Sequence, residues 1–303
     1  MSLVVVGSVA FDSIQTPEGR VDDALGGSAV HFSLAASLFT SVRLAGVVGE
    51  DFPKEHRELL KGRGIDLAGL ETIPGGRTFR WAGEYSEDMN QRETLSVELN
   101  VFEDFQPRLP ESYQVARYVF LANGAPITQA SVLDQMKNRP FVMADTMDLW
   151  IRTAHHDLEA LLRRIDGLVL NDQEALLLSS EKNLIRAGRA IREYGLRYLV
   201  IKKGEHGATI FHPGGEITLP ALPLAEVHDP TGAGDSFAGG ILGYLARSGK
   251  IDLEHFKRAV AWGTVCAAFG CQAFGVQGIL DATREEVEAR YAEYCEMLRL
   301  EVA

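Results

Sequence analysis

Leu3-Val4-Val5-Val6 is a wholly apolar, largely β-branched run that stops at Gly7. A strand with no polar side has to be covered on both faces, and that requirement constrains the fold more than any other feature of the chain. Similar short runs return at 42–48, 117–121, 141–144, 168–170 and 198–201. Helical patterns separate them at 29–39, 53–63, 126–137, 155–165, 172–179 and 182–194, with Ser28 the expected N-cap of the first. Strand and helix in alternation predict an α/β fold: a doubly wound, mainly parallel sheet flanked by crossover helices. From Gly232 onward the chain reads as helical, at 233–247, 252–268 and 283–299.

Residues 70–105 break the rhythm. Segments 77–85 and 93–99 alternate apolar and polar residues around the polar turn 86–92, which predicts an antiparallel hairpin with one wet face. Such an insertion serves as a lid or an oligomer contact, or forms a plain edge hairpin of the main sheet. The expectation is one domain over 1–303 carrying a small antiparallel β lid from about 10–25 and 70–105. An exposed lid edge offers a place for a second copy to pair, giving a homodimer. Phe79 and Trp81 on the hairpin either stack on a ligand ring or pack its buried side.

The formal net charge of −12 and pI near 5.2 argue against a nucleic-acid or anionic-membrane partner, since a phosphate surface would be repelled. Cys266, Cys271 and Cys295 fit no zinc spacing and make a poor disulfide framework, so reduced, mostly buried thiols are expected. No apolar run reaches the roughly 20 residues of a membrane span, and Met1-Ser2-Leu3 leads straight into the first strand, so the chain reads as cytoplasmic. Gly249-Lys250-Ile251 is no phosphate-binding P-loop, and Gly7-Ser8-Val9-Ala10 fails the dinucleotide fingerprint. Neither a zinc-protease HExxH nor a GxSxG nucleophile elbow occurs.

The chemistry concentrates in Asp229-Pro230-Thr231-Gly232-Ala233-Gly234-Asp235, directly before a long apolar helix. Helix N-terminal N–H groups are unpaired and carry the positive end of the dipole. With small residues at Gly232, Ala233 and Gly234, an anion can approach those amides closely. A carboxylate at Asp235 is ready to accept a proton beside them. The pairing suits phosphoryl transfer, an anion cradle next to a base for the attacking hydroxyl. Taken alone, the segment is also compatible with an ordinary glycine-rich helix start.

This segment resembles the C-terminal motif of the ribokinase/PfkB carbohydrate kinase family, and the resemblance runs from about residue 3 to about residue 280. It implies ATP and Mg²⁺, Asp235 as catalytic base, and the 232–234 amides as anion hole. Gly26-Gly27 opening a helix, followed by Val47-Val48-Gly49-Glu50-Asp51, resembles the N-terminal motif, and Asp12 matches the acid that holds substrate hydroxyls. Asn171-Asp172-Gln173-Glu174 resembles the N-x-x-E element near magnesium and the nucleotide phosphates; alone it reads as a helix cap. Lys202-Lys203-Gly204-Glu205-His206-Gly207 resembles the nucleotide-binding turn, which implies Lys202, Gly204 and Gly207 near ATP; the lysine side chains either supply positive potential there or lie exposed on a solvated hairpin. Asp229 and Thr231 match positions that hold a monovalent cation such as K⁺.

Departures from the family pattern bear on the substrate. His31 stands where an Asn is usual, and an imidazole can donate to or accept from a hydroxyl, or be a buried structural residue. Asn123 stands where an acid often binds substrate. Asp145-Thr146-Met147-Asp148-Leu149-Trp150 lacks the Arg that accompanies sugar-acid substrates. These residues imply a hydroxyl acceptor on a neutral sugar, polyol or nucleoside. The rival reading is a sensor of sugar or nucleotide that keeps the fold and has lost turnover.

Overall fold

The computed structural model describes residues 2–299. Its strands are β1 (Leu3–Val6), β2 (Ala10–Thr16), β3 (Gly19–Gly26), β4 (Val42–Gly49), β5 (Ile65–Ile73), β6 (Phe79–Tyr85), β7 (Arg92–Glu98), β8 (Tyr118–Leu121), β9 (Phe141–Asp145), β10 (Gly167–Asn171), β11 (Tyr198–Lys202), β12 (Ala208–His212) and β13 (Gly215–Leu219). The helices are α1 (Ser28–Ser37), α2 (Lys54–Gly62), α3 (Pro126–Asp134), α4 (Asp148–Thr153), α5 (His155–Leu162), α6 (Asp172–Ser179), α7 (Leu184–Arg192), α8 (Ala233–Ser248), α9 (Leu253–Gly270), α10 (Gln277–Asp281) and α11 (Arg284–Met297).

Nine strands form the main sheet in the order β13-β12-β11-β10-β9-β8-β1-β4-β5. All its pairings are parallel except β11–β12 and β12–β13. The double burial foreseen for β1 is realised by the pleat. Leu3 and Val5 enter one core with Phe32, Leu34, Ile241 and Leu242 under α1 and α8. Val4 and Val6 enter the other with Leu121, Leu161 and Leu168 on the opposite face. Successive side chains point to opposite faces, so a strand covered twice has no position for a polar residue.

The lid is a second sheet, ordered β3-β2-β6-β7. Its two hairpins, β2–β3 and β6–β7, are antiparallel and join through a parallel β2–β6 pair that sets Asp12 beside Trp81. The strand at 65–73 belongs to the main sheet, paired with β4, so the second lid segment starts at Phe79 rather than near residue 70. Every residue of β7 is exposed, including Leu95 and Val97.

Ser28 does not cap α1. Gly27, at φ 94°, occupies the N-cap, and Ser28 begins the helix with its hydroxyl against that of Ser8. All three cysteines are free; Cys266 is buried, Cys271 half-buried and Cys295 exposed, and burial pushes the first two thiols up to about 12. Among the described residues, no helix is long and apolar enough to cross a membrane.

Candidate active site

Parallel strands bring their C-terminal ends to one rim, where open α/β sheets bind ligands. Here that rim carries Asp145 at the end of β9, Asn171 at the end of β10 and Lys202 at the end of β11. The N-terminus of α8 meets the rim from the other side. Gly232 is its N-cap, in the left-handed region at φ 71°, and a Cβ there would overlap the His31 ring. Both facts require glycine. A Cβ on Gly234 would lie 2.7 Å from Lys202 Nζ, so the ammonium sits directly over the loop.

No side chain caps α8. The Ala233 N–H donates to Pro230 O (3.1 Å), which leaves the remaining first-turn amides, Gly234 foremost, to face an incoming anion. Asp235 is half-buried in the first turn. Burial, then the charge of Asp145, pushes its carboxyl up to about 6, while His31 and Lys202 pull the other way.

On the lid side, buried Asp12 accepts the Gly27 N–H at Oδ2 (3.3 Å). His31, on α1, is 3% exposed; its Nε2 is 3.9 Å from the same Oδ2, an ion-pair rather than a hydrogen-bond distance, and makes no hydrogen bond. Burial opposes a charge on this imidazole, but Asp12, Asp235 and Asp229 outweigh it and its pKa is raised. Gly26, Gly27, Asp12, His31 and Asp235 thus converge on one place. Asn123 stands apart from that group. Its Oδ1 accepts the Trp150 indole N–H (3.0 Å), and its Nδ2 reaches only the Met147 sulfur (3.1 Å).

Asn171 and Glu174 do form a helix cap. Asn171 Oδ1 accepts the Glu174 N–H (2.8 Å), and Glu174 Oε2 accepts the Asn171 N–H (2.7 Å). The cap also places Glu174 in the charged cluster: burial, then the Asp145 carboxylate, pushes its carboxyl up to about 7, with Lys202 opposing. Burial opposes a charge on Lys202 as well, yet Asp145, Glu174 and Asp235 together raise its pKa and keep it an ammonium. Gly204 and Gly207, at φ 54° and 82°, close the turn after β11, with the Lys203 N–H donating to Gly207 O (2.7 Å).

Asp229 is completely buried and accepts N–H groups from Thr231 at Oδ1 and Gly275 at Oδ2, both at 2.8 Å. The lid touches this loop twice. The Thr231 hydroxyl donates to Tyr85 Oη (3.1 Å), and the Thr16 hydroxyl donates to His228 O (2.9 Å). The register that pairs Asp12 with Trp81 puts both on the same face of the lid. Phe79 instead stacks on Phe102, ring centroids 5.5 Å apart. Sequence reasoning noted Asp145 only as the start of a segment lacking an Arg, and missed both its place beside Lys202 and the site contact of Tyr85. The signal for Asp145 was its place at the C-terminal end of a predicted strand; Tyr85 carried none, since its partner lies far along the chain.

The pfkB family carbohydrate kinase pattern matches residues 1–283. A cytidine kinase from Thermococcus kodakarensis is 30% identical over 254 residues, covering 82% of this chain and 89% of that protein. A nucleoside kinase from Burkholderia thailandensis, solved in complex with inosine, superposes with a TM-score of 0.78 at 21% identity, covering 96% of this chain and 97% of that one. A double-mutant fructokinase from Vibrio cholerae O395, solved with fructose, ADP and potassium ion, gives the same TM-score at 19% identity over 95% and 97%. The chain therefore belongs to the pfkB family of carbohydrate kinases and is an ATP-dependent sugar or nucleoside kinase.

Proposed function

We propose that the protein transfers the γ-phosphoryl group of ATP to a hydroxyl of a nucleoside. The observation that carries this is the position of Asp235, between the Gly234–Lys202 anion site and the Asp12–His31 hydroxyl site. The likeness to a cytidine kinase and a nucleoside kinase supports a nucleoside over a simple sugar. So does Trp81, an aromatic face set beside Asp12 on the lid.

Asp12 and the Gly26-Gly27 backbone hold sugar hydroxyls, and the free Nε2 of His31 donates to or accepts from one of them. Asp235 accepts the proton of the attacking hydroxyl as that oxygen bonds to the γ-phosphorus, and the bond to the β,γ-bridging oxygen breaks to release ADP. The 232–234 loop, through the amides that Ala233 leaves free, and the Lys202 ammonium face the charge that develops on the phosphoryl oxygens. The Gly204–Gly207 turn borders the nucleotide.

Mg²⁺ fits this site as an ion held chiefly by nucleotide and water. Among the described residues no three acidic, His or Cys side chains gather to cage a metal. Mg²⁺ typically uses one or two carboxylates together with phosphates and waters. Glu174, beside Asn171, supplies such a carboxylate through water, and the bound ion would neutralise phosphate charge. Asp229 and Thr231 are proposed to hold a monovalent cation, on the strength of the fully buried Asp229 carboxylate and of the potassium-bound fructokinase.

Lid contacts at Tyr85 and Thr16 would exclude water from the γ-phosphate and so suppress hydrolysis. The exposed β7 edge, with Leu95 56% and Val97 52% exposed, is proposed to pair with a second copy; a monomer by light scattering would refute that. The test of the activity is ADP release with ATP and Mg²⁺ over nucleosides, neutral sugars and polyols, with the product identified by mass. A nucleoside monophosphate is expected. Nucleotide binding with no ADP release on any acceptor would favour a sensor instead.

A further inference from the structure

We propose that Asp145 is a positioning residue for phosphoryl transfer, holding the Lys202 ammonium over the Gly232–Gly234 loop. The proposal rests on the kinase reading above and concerns a residue to which the motifs give no role.

Both side chains are largely buried, 10% exposed for Asp145 and 20% for Lys202, with Nζ 4.0 Å from Asp145 Oδ2. At that spacing the pair attracts without a direct hydrogen bond, which leaves the ammonium protons free for a phosphate oxygen. Strand β10 lies between β9 and β11, so the long Lys202 stem has to cross the end of β10 to reach this carboxylate. Asp145 itself is fixed. Its Oδ1 accepts the Thr146 N–H (2.8 Å), and its carbonyl accepts Gln129 Nε2 (3.0 Å), which also binds Leu121 O and Ala122 O at 3.0 Å. A single buried amide therefore ties β8, β9 and α3 together behind the carboxylate.

Glu174 and Asp235 also attract Lys202. Without Asp145 the ammonium is free to settle against Asp235, which both misplaces the cation and occupies the base. The consequence falls on the chemical step and not on nucleoside binding.

The test is a double-mutant cycle on the full chain at pH 8, reading kcat and KM for the nucleoside. Lys202→Met is expected to lower kcat by about 10²–10³. Asp145→Asn is expected to lower kcat by about 10–100 with KM for the nucleoside within about twofold. In the Lys202→Met background, Asp145→Asn should add less than about a twofold loss, because its effect passes through the lysine. An Asp145→Asn loss that is equally large without the lysine, or none with it, overturns the proposal. Asp145→Glu, which keeps the charge and displaces it, takes its place if the Asn variant does not fold. Absence of ADP release by the unsubstituted enzyme would instead count against the kinase reading itself.

Discussion

Asp235→Asn is expected to make the nucleotide-free protein more stable. The carboxyl of Asp235 is raised from 3.8 to about 6, first by burial and then by Asp145, against the pull of His31 and Lys202. A folded-state value above the unfolded one means that the native protein binds this proton more tightly. The group therefore costs nothing below about pH 4, costs more as pH rises between about 4 and 6, and costs its full amount above that. Two units correspond to about 3 kcal/mol as an upper bound. That figure is already net of the pull of His31 and Lys202, and an amide only approximates the protonated acid, so the gain at pH 8 is about 1–3 kcal/mol. For a chain of this size that is a rise in Tm of about 2–5 °C. Thermal melts without nucleotide, at pH 8 and pH 4.5, should show the full gain at pH 8 and only about a third of it at pH 4.5. An unchanged or lower Tm at pH 8, or equal gains at both, would refute the reasoning. The expected outcome is the trade typical of functional sites, in which stability is given up for a strained charge.

The other predictions concern the reaction. Protonation removes the base, so log kcat/KM for the nucleoside should fall with unit slope below about pH 6 and stay level above it; a level profile down to pH 5 would contradict the value raised at Asp235. Gly232→Ala forces a methyl group into the His31 ring at a positive φ, and should cost about 1–3 kcal/mol in stability and at least about tenfold in kcat, read by melting and by ADP release. Trp81→Ala should raise KM for the nucleoside about 5–50-fold and leave KM for ATP unchanged, the opposite pattern excluding Trp81 from the substrate face.

The sheet was legible because a strand buried on both faces leaves no ambiguity in its pattern, as β1, β8 and β10 illustrate. β5 was misread as the start of the lid for the converse reason. Ile-Asp-Leu-Ala-Gly-Leu-Glu-Thr-Ile mixes polar and apolar residues because, as the sheet's edge, it is only partly covered. The parts of the site that are contiguous in sequence, 229–235 and 171–174, could be read from their chemistry before any coordinates. Ser28 was misplaced because Gly27 can adopt a backbone angle that lets it take the cap itself. The Asp145–Lys202 pair and the Tyr85–Thr231 contact were not legible, since they exist only through strand order and lid docking. The raised carboxyls of Asp235 and Glu174 follow from that same assembly of distant charges.

The central claim is that Asp235 is the general base of an ATP-dependent kinase. Its most direct test is the steady-state rate of nucleoside-dependent ADP release by the unsubstituted enzyme and by Asp235→Asn at pH 8 with saturating ATP and Mg²⁺. The account predicts kcat lower by about 10²–10⁴ in the variant, with KM for the nucleoside changed by no more than a few fold. Turnover by the variant close to that of the unsubstituted enzyme would contradict it.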